Sequence, residues 1–263
     1  MDLGLKDRAA LVTGASAGLG FAAARALAAE GARVAIVSRS KDNIERAASA
    51  IHAGTGALVE TFIADVSDLD SIPCLVNSVQ EAIGPVAILV ANAGGPPAGR
   101  FEELNRNAFD LAYRLTLMSA VELCRAVLPG MKTAGWGRIV AITSTSVKQP
   151  IEGLLLSNVF RAGLTGFLKT LSREVGAQGI TVNSVAPGYS DTERLAELAQ
   201  RVSRQQGRTV TEVCEAWAAA TAVQRLGDPD EIGAAVAWLC SEQAGFITGT
   251  VLPVDGGRSA GLL

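Results

Sequence analysis

The chain has 263 residues, 49% of them hydrophobic and 19% charged, which suits one large α/β domain over 1–263 better than two small ones. Its formal net charge of −3 excludes the basic surface of a nucleic-acid-binding protein. No apolar run approaches the ~20 residues of a membrane-spanning helix, and MDLGLKDR does not read as a secretory signal, so a cytoplasmic protein without a membrane partner is expected.

Short β-branched runs alternate along the chain with longer Ala/Leu-rich runs of helical period. A strand over 9–14 (AALVTG) precedes a helix over 16–30 that ends at Gly31. A strand over 32–38 leads through Ser40, a fitting N-cap, to a helix over 41–53. A third strand (57–66) and helix (68–83) follow, then a fourth strand (86–94) and a long helix over 105–132. A fifth strand (137–144) precedes a helix over 153–177, and a sixth strand spans 179–188. A helix over 229–241 and a last strand over 248–257 complete the series. Regular alternation predicts a Rossmann-type doubly wound parallel sheet of about seven strands, with helices on both faces. The break in rhythm is 189–227, a long excursion beyond the sixth strand. Ligands of such sheets bind beyond the strand carboxyl ends, so this insertion is a candidate lid.

TGASAGLG (13–20) joins the first strand to the first helix. Gly14, Gly18 and Gly20 permit a tight turn and a close approach to a pyrophosphate, which the helix N-terminus then receives. At the end of the second strand stand Ser38, Arg39 and Ser40, with no carboxylate to hold a ribose 2′-hydroxyl. Arg39 can pair with a phosphate dianion. NADP(H) is therefore expected in preference to NAD(H). The four cysteines contain no CxxC pair and read as buried reduced thiols, and the lone His52 cannot build a metal site, so no metal is expected.

Together these residues resemble the short-chain dehydrogenase/reductase family, over nearly the whole chain and most closely its 3-oxoacyl-thioester-reductase-like members. TGASAGLG is similar to that family's cofactor loop, which implies cofactor contacts from Gly14, Ser16, Gly18, Leu19 and Gly20. Asp65-Val66 resembles its adenine-contacting pair, and Ala91-Asn92-Ala93-Gly94 its fourth-strand motif, which implicates Asn92 and Gly94. APGYSDT (186–192) resembles the segment along the nicotinamide, implicating Pro187, Gly188 and Thr192, and VDGG (254–257) the last strand. The resemblance also implies a homodimer or homotetramer.

The family's chemistry uses a serine, a tyrosine, a lysine and an asparagine. Ser144 matches the serine. Ser157 stands at the tyrosine position and Arg161 at the lysine position, from which Arg161 could also bond the nicotinamide ribose of the cofactor. Counting back from Pro129, taken as the end of the long helix, Thr116 stands where the asparagine belongs. A phenol beside an ammonium can give up a proton near neutral pH, whereas an aliphatic hydroxyl cannot, and a guanidinium is a poor relay. The inherited proton donor is absent. Tyr189 follows Pro187-Gly188 and joins Ser144, Ser157 and Arg161 as a catalytic candidate, with Tyr113 and Lys148 as outside possibilities. The expected activity is NAD(P)-dependent oxidoreduction of a carbonyl or alcohol with an altered catalytic set; the alternative is a catalytically silent dinucleotide-binding sensor or scaffold. Trp217, Val213 and Leu195 in the candidate lid suggest a hydrophobic small-molecule substrate.

Overall fold

A computed structural model describes residues 1–261, so Leu262 and Leu263 of the expected domain lie outside it. Seven strands form one sheet in the order β3-β2-β1-β4-β5-β6-β7. They are β1 (Ala9–Thr13), β2 (Arg33–Ser38), β3 (Glu60–Ile63), β4 (Ile88–Ala91), β5 (Gly137–Ile142), β6 (Ile180–Pro187) and β7 (Val251–Val254). Every pairing is parallel. The order reverses direction between β1 and β4, which opens a crevice at the strand carboxyl ends there.

Central strands are apolar at almost every position because both faces are covered. On one face α3 (Ile72–Ile83), α5 (Ser119–Ala134) and α6 (Leu155–Val175) bury Val76, Val79, Leu123, Val127, Leu164 and Leu168 against Leu11, Leu89 and Ile139. On the other, α1 (Gly18–Ala29), α2 (Lys41–Thr55) and α9 (Pro229–Cys240) bury Leu27, Ile44, Ile51, Ile232 and Val236 against Val12, Ile36 and Val140. Alanines let α1 lie close, and Gly233 of α9 admits it closer: a Cβ there would sit 2.5 Å from the Ala22 carbonyl oxygen.

Several expected boundaries move. β3 is four residues rather than ten, since it pairs only with β2 and the chain turns at Asp65, whose carboxylate takes the Ser67 N–H. β7 is cut short by Gly249, Gly256 and Gly257, all at positive φ. The long helix over 105–132 is three pieces: α4 (Arg106–Ala112), a π-helical segment (Tyr113–Met118) and α5. Pro129 lies inside α5, which ends only at Gly135 in the left-handed region. The excursion 189–227 holds α7 (Glu193–Gln206) and α8 (Val210–Ala219), each capped by a threonine. Its two ends are joined by a short bridge between Ser190 and Gly227. The thiols are all free, yet only Cys124 and Cys240 are buried, while Cys74 is exposed on α3, away from its packed face.

Candidate active site

The site grows from the carboxyl ends of β1, β4, β5 and β6. At β1, Thr13 donates its hydroxyl to the Asn92 carbonyl at 2.7 Å, and the Asn92 side-chain amide donates to the Gly14 carbonyl at 3.0 Å. Asn92 therefore stitches the glycine turn to β4, a supporting role for its side chain. Gly14 and Gly18 lie at φ of 58° and 57°. A Cβ at Gly20 would sit 2.3 Å from the Gly14 carbonyl oxygen, so only glycine lets α1 begin where it does. No side chain caps α1 and its first turn has no acid, leaving free N–H groups at the positive end of the helix dipole. Ser16 and Leu19 lie on this turn, half-buried.

At the end of β2, Ser38 accepts from the Ser40 N–H at 3.3 Å, and Ser40 caps α2. Arg39 projects into solvent, 3.8 Å from the Asp65 carboxylate. Partial burial pulls the Asp65 carboxyl upward, but hydrogen bonds from the Ser67 backbone and hydroxyl, and then the charge of Arg39, hold it below its ordinary value. An exposed ion pair at that distance is weak and leaves Arg39 free to turn to another anion. Val66 is buried beneath.

Ser144 follows β5 and caps a short turn by accepting the Ser146 N–H at 3.1 Å. That bond uses an acceptor lone pair, so the hydroxyl proton is free to be donated. Ser157, on α6, is buried and its neighbouring hydroxyl is Ser146, at a long 3.4 Å. Four residues on, Arg161 donates through one Nη to the carbonyl oxygens of Ile142 and Thr143, both at 2.9 Å, pinning α6 to the end of β5. Burial, and then the charge of Arg194, lower its guanidinium to about 10, which leaves it cationic at neutral pH. Arg161 shares a cavity of about 10 Å³ with Asn92, Gly94 and Thr116. The Thr116 hydroxyl there is buried without a partner, and the space is about what one water needs.

The remaining candidates separate. Tyr189, after β6, stacks on Trp217 of α8 at 4.7 Å and accepts a hydrogen bond from Arg258. Gly188 is required by packing, since a Cβ would meet the Asp255 Cα at 2.8 Å, and Pro187 is the last residue of β6. Thr192 caps α7 through the Leu195 N–H, with its methyl 3.5 Å from where a Gly18 Cβ would stand, so α7 starts against the glycine turn. Tyr113 is half-exposed and packs on Phe160. Lys148 lines a separate cavity of about 320 Å³ between α6, β6 and β7. Leu195 of α7 and Val213 of α8 are buried, while Trp217 of α8 stacks on Tyr189.

Three arginines escaped the sequence reading. Arg194 of α7 donates to the Pro96 carbonyl at 3.0 Å, and with Arg201, which reaches the Ala98 carbonyl, ties α7 across the loop after β4. Arg258, beyond β7, donates to Thr145 Oγ1 at 3.0 Å and to the Tyr189 hydroxyl at 3.2 Å. A lone arginine directly after VDGG, at the same end of the sheet as the site, was the available signal.

A glycine turn into an uncapped helix, at the reversal of a doubly wound parallel sheet, defines a dinucleotide-binding α/β protein. Residues 14–259 match the family described as enoyl-(acyl carrier protein) reductase. A 3-oxoacyl-[acyl-carrier-protein] reductase of Pseudomonas aeruginosa is 35% identical, over 97% of this chain and 98% of that protein. Nodulation protein G of Azospirillum brasilense is 34% identical, over 96% and 98%. The structure of L-sorbose reductase from Gluconobacter frateurii, complexed with NADPH and L-sorbose, superposes with a TM-score of 0.94 at 32% identity, covering 100% of both chains. The chain belongs to the short-chain dehydrogenase/reductase family.

Proposed function

We propose that the protein is an NADP(H)-dependent oxidoreductase that interconverts a small carbonyl compound and its alcohol, using an altered catalytic set. The observation that carries this reading is the cradle itself: Gly14 and Gly18 turn at positive φ, Gly20 packs so closely on the Gly14 carbonyl that no Cβ fits, and α1 presents uncapped N–H groups there. The residues present fit a dinucleotide. Gly14, Ser16, Gly18, Leu19 and Gly20 would hold the pyrophosphate, Asp65 and Val66 the adenine, and Arg39 with Ser38 the 2′-phosphate. Gly94, Pro187, Gly188 and Thr192 would flank the nicotinamide, with Asn92 keeping the turn in place. When bound, NADPH supplies the hydride.

The chain's own groups then act on the carbonyl oxygen. Ser144 donates a hydrogen bond that strengthens as negative charge develops. Arg161 contributes a fixed positive field one helical turn from Ser157. With no phenol at position 157, the alcohol proton comes from solvent by way of these hydroxyls, and turnover is slow compared with a site that keeps an acid. α7 and α8 form the lid over this end of the sheet, held down by Arg194 and Arg201.

Assembly as a homodimer or homotetramer is supported by apolar side chains left at the surface on α6, on α9 and before β7, namely Val159, Trp238 and Phe246. Four free cysteines suit the reducing cytoplasm. The test is NADPH oxidation against a panel of aldehydes and ketones, with identification of the alcohol product. Alcohol formed in step with NADPH consumed is the expected result; firm NADPH binding with no product from any carbonyl would overturn the proposal.

A further inference from the structure

Arg258 is fixed in the mouth of the cleft without an anionic partner among the described residues. The ends of β5, β6 and β7, adjacent strands, converge on it through Thr145, Tyr189 and its own turn. The Asp255 carboxylate accepts the N–H groups of Gly257 and Ser259, at 3.0 and 2.9 Å, which sets the turn that presents the side chain. The guanidinium carbon lies 4.3 Å from the centre of the Tyr189 ring, and that ring is itself held against Trp217. Thr145, which accepts from one Nη, is only 1% exposed and cannot move aside. Nε and one hydrogen on each Nη remain unused, which is the donor fork that matches a carboxylate.

No ion pair among the described residues includes Arg258 or Arg161, although the chain carries 26 acids against 23 bases. Asp255, three residues before Arg258, is committed to the N–H groups of its own turn. A dinucleotide's phosphates belong at the glycine turn and Arg39, on β1 and β2, whereas Arg258 stands at the opposite flank, beside β6 and β7.

We propose that Arg258 binds a carboxylate of the substrate, so that this enzyme acts on short oxo acids and the corresponding hydroxy acids. Thr145, which Arg258 grips, is the neighbour of Ser144, so the carboxylate is held close to the carbonyl that Ser144 addresses. Tyr189 then acts as a positioning residue for Arg258. This inference rests on the oxidoreductase reading above for the role of Ser144.

The experiment is calorimetric titration of the protein loaded with NADP⁺, using pyruvate, acetoacetate and levulinate and the methyl ester of each. At least one acid is expected to bind roughly tenfold or more tightly than its ester, the advantage of a charge-assisted fork. Arg258→Met should abolish that acid-to-ester ratio, and Arg258→Lys, which keeps the charge but not the fork, should retain part of it. Acids that bind no better than their esters, no binding of any acid, or a ratio unchanged in Arg258→Met would overturn the assignment. NADPH turnover of the same compounds is scored separately. Ester reduction without acid preference sinks the carboxylate site alone, while acid binding with no hydride transfer leaves the site and sinks the oxidoreductase reading.

Discussion

Arg39 and Gly20 carry the cofactor assignment at the scale of single residues. Arg39 has no close partner, its nearest carboxylate being 3.8 Å away, so it contributes little to stability and is available to a phosphate. Arg39→Ala should weaken NADPH binding by about tenfold, the loss of one charge-assisted contact, and leave NADH binding nearly unchanged; fluorescence titration of both cofactors reads this directly. Gly20→Ala would drive a methyl into the Gly14 carbonyl and should cost about 1–3 kcal/mol in urea denaturation, with NADPH binding lost. Both positions were legible in the sequence, because turn and strand-end chemistry is local. The neighbours of Ser157 were not. The family resemblance puts it in one set with Ser144, whereas the contact made is to Ser146, because the turn capped by Ser144 swings Ser146 toward α6.

Alternating strands and helices were readable in order at the scale of elements, since period and turn residues are properties of short windows. The π-helical segment was not, as nothing in YRLTLM distinguishes a widened turn from an ordinary one. Nor was the approach of Arg258 to β5 and β6, which depends on three strand ends meeting in space. α9 offers a test of element stability. Asp228 and Glu231 form a capping box, and Arg225 grips Glu231 through two hydrogen bonds at 2.8 and 2.6 Å. Those bonds, and then the Asp228 N–H, lower the Glu231 carboxyl to about 2. The folded state thus favours the carboxylate, and its contribution is complete above the ordinary value near 4.5 and is lost as pH falls toward 2. The pair is half-exposed, so solvent screening limits the effect. Glu231→Gln should cost roughly 1 kcal/mol or less at neutral pH, with the difference from wild type shrinking as the medium is acidified below about pH 4.5.

The architecture of the whole molecule gathers the glycine turn, Ser144 and the helices α7 and α8 at one end of a single sheet, with Ser157 and Arg161 where the family carries its tyrosine and lysine. Among the described residues the cations Arg161 and Arg258 have no carboxylate partners, in a chain of net charge −3. Charge stabilisation has replaced acid catalysis in this account, and Ser144 is the one hydroxyl from the inherited set. The most direct test is a comparison of NADPH oxidation by wild type and Ser144→Ala with a carbonyl substrate that the wild type reduces. The account predicts a fall of about a hundredfold or more in kcat, the usual cost of removing one oxyanion donor, with NADPH affinity retained. Full activity in Ser144→Ala would contradict it and place the chemistry elsewhere in the cleft.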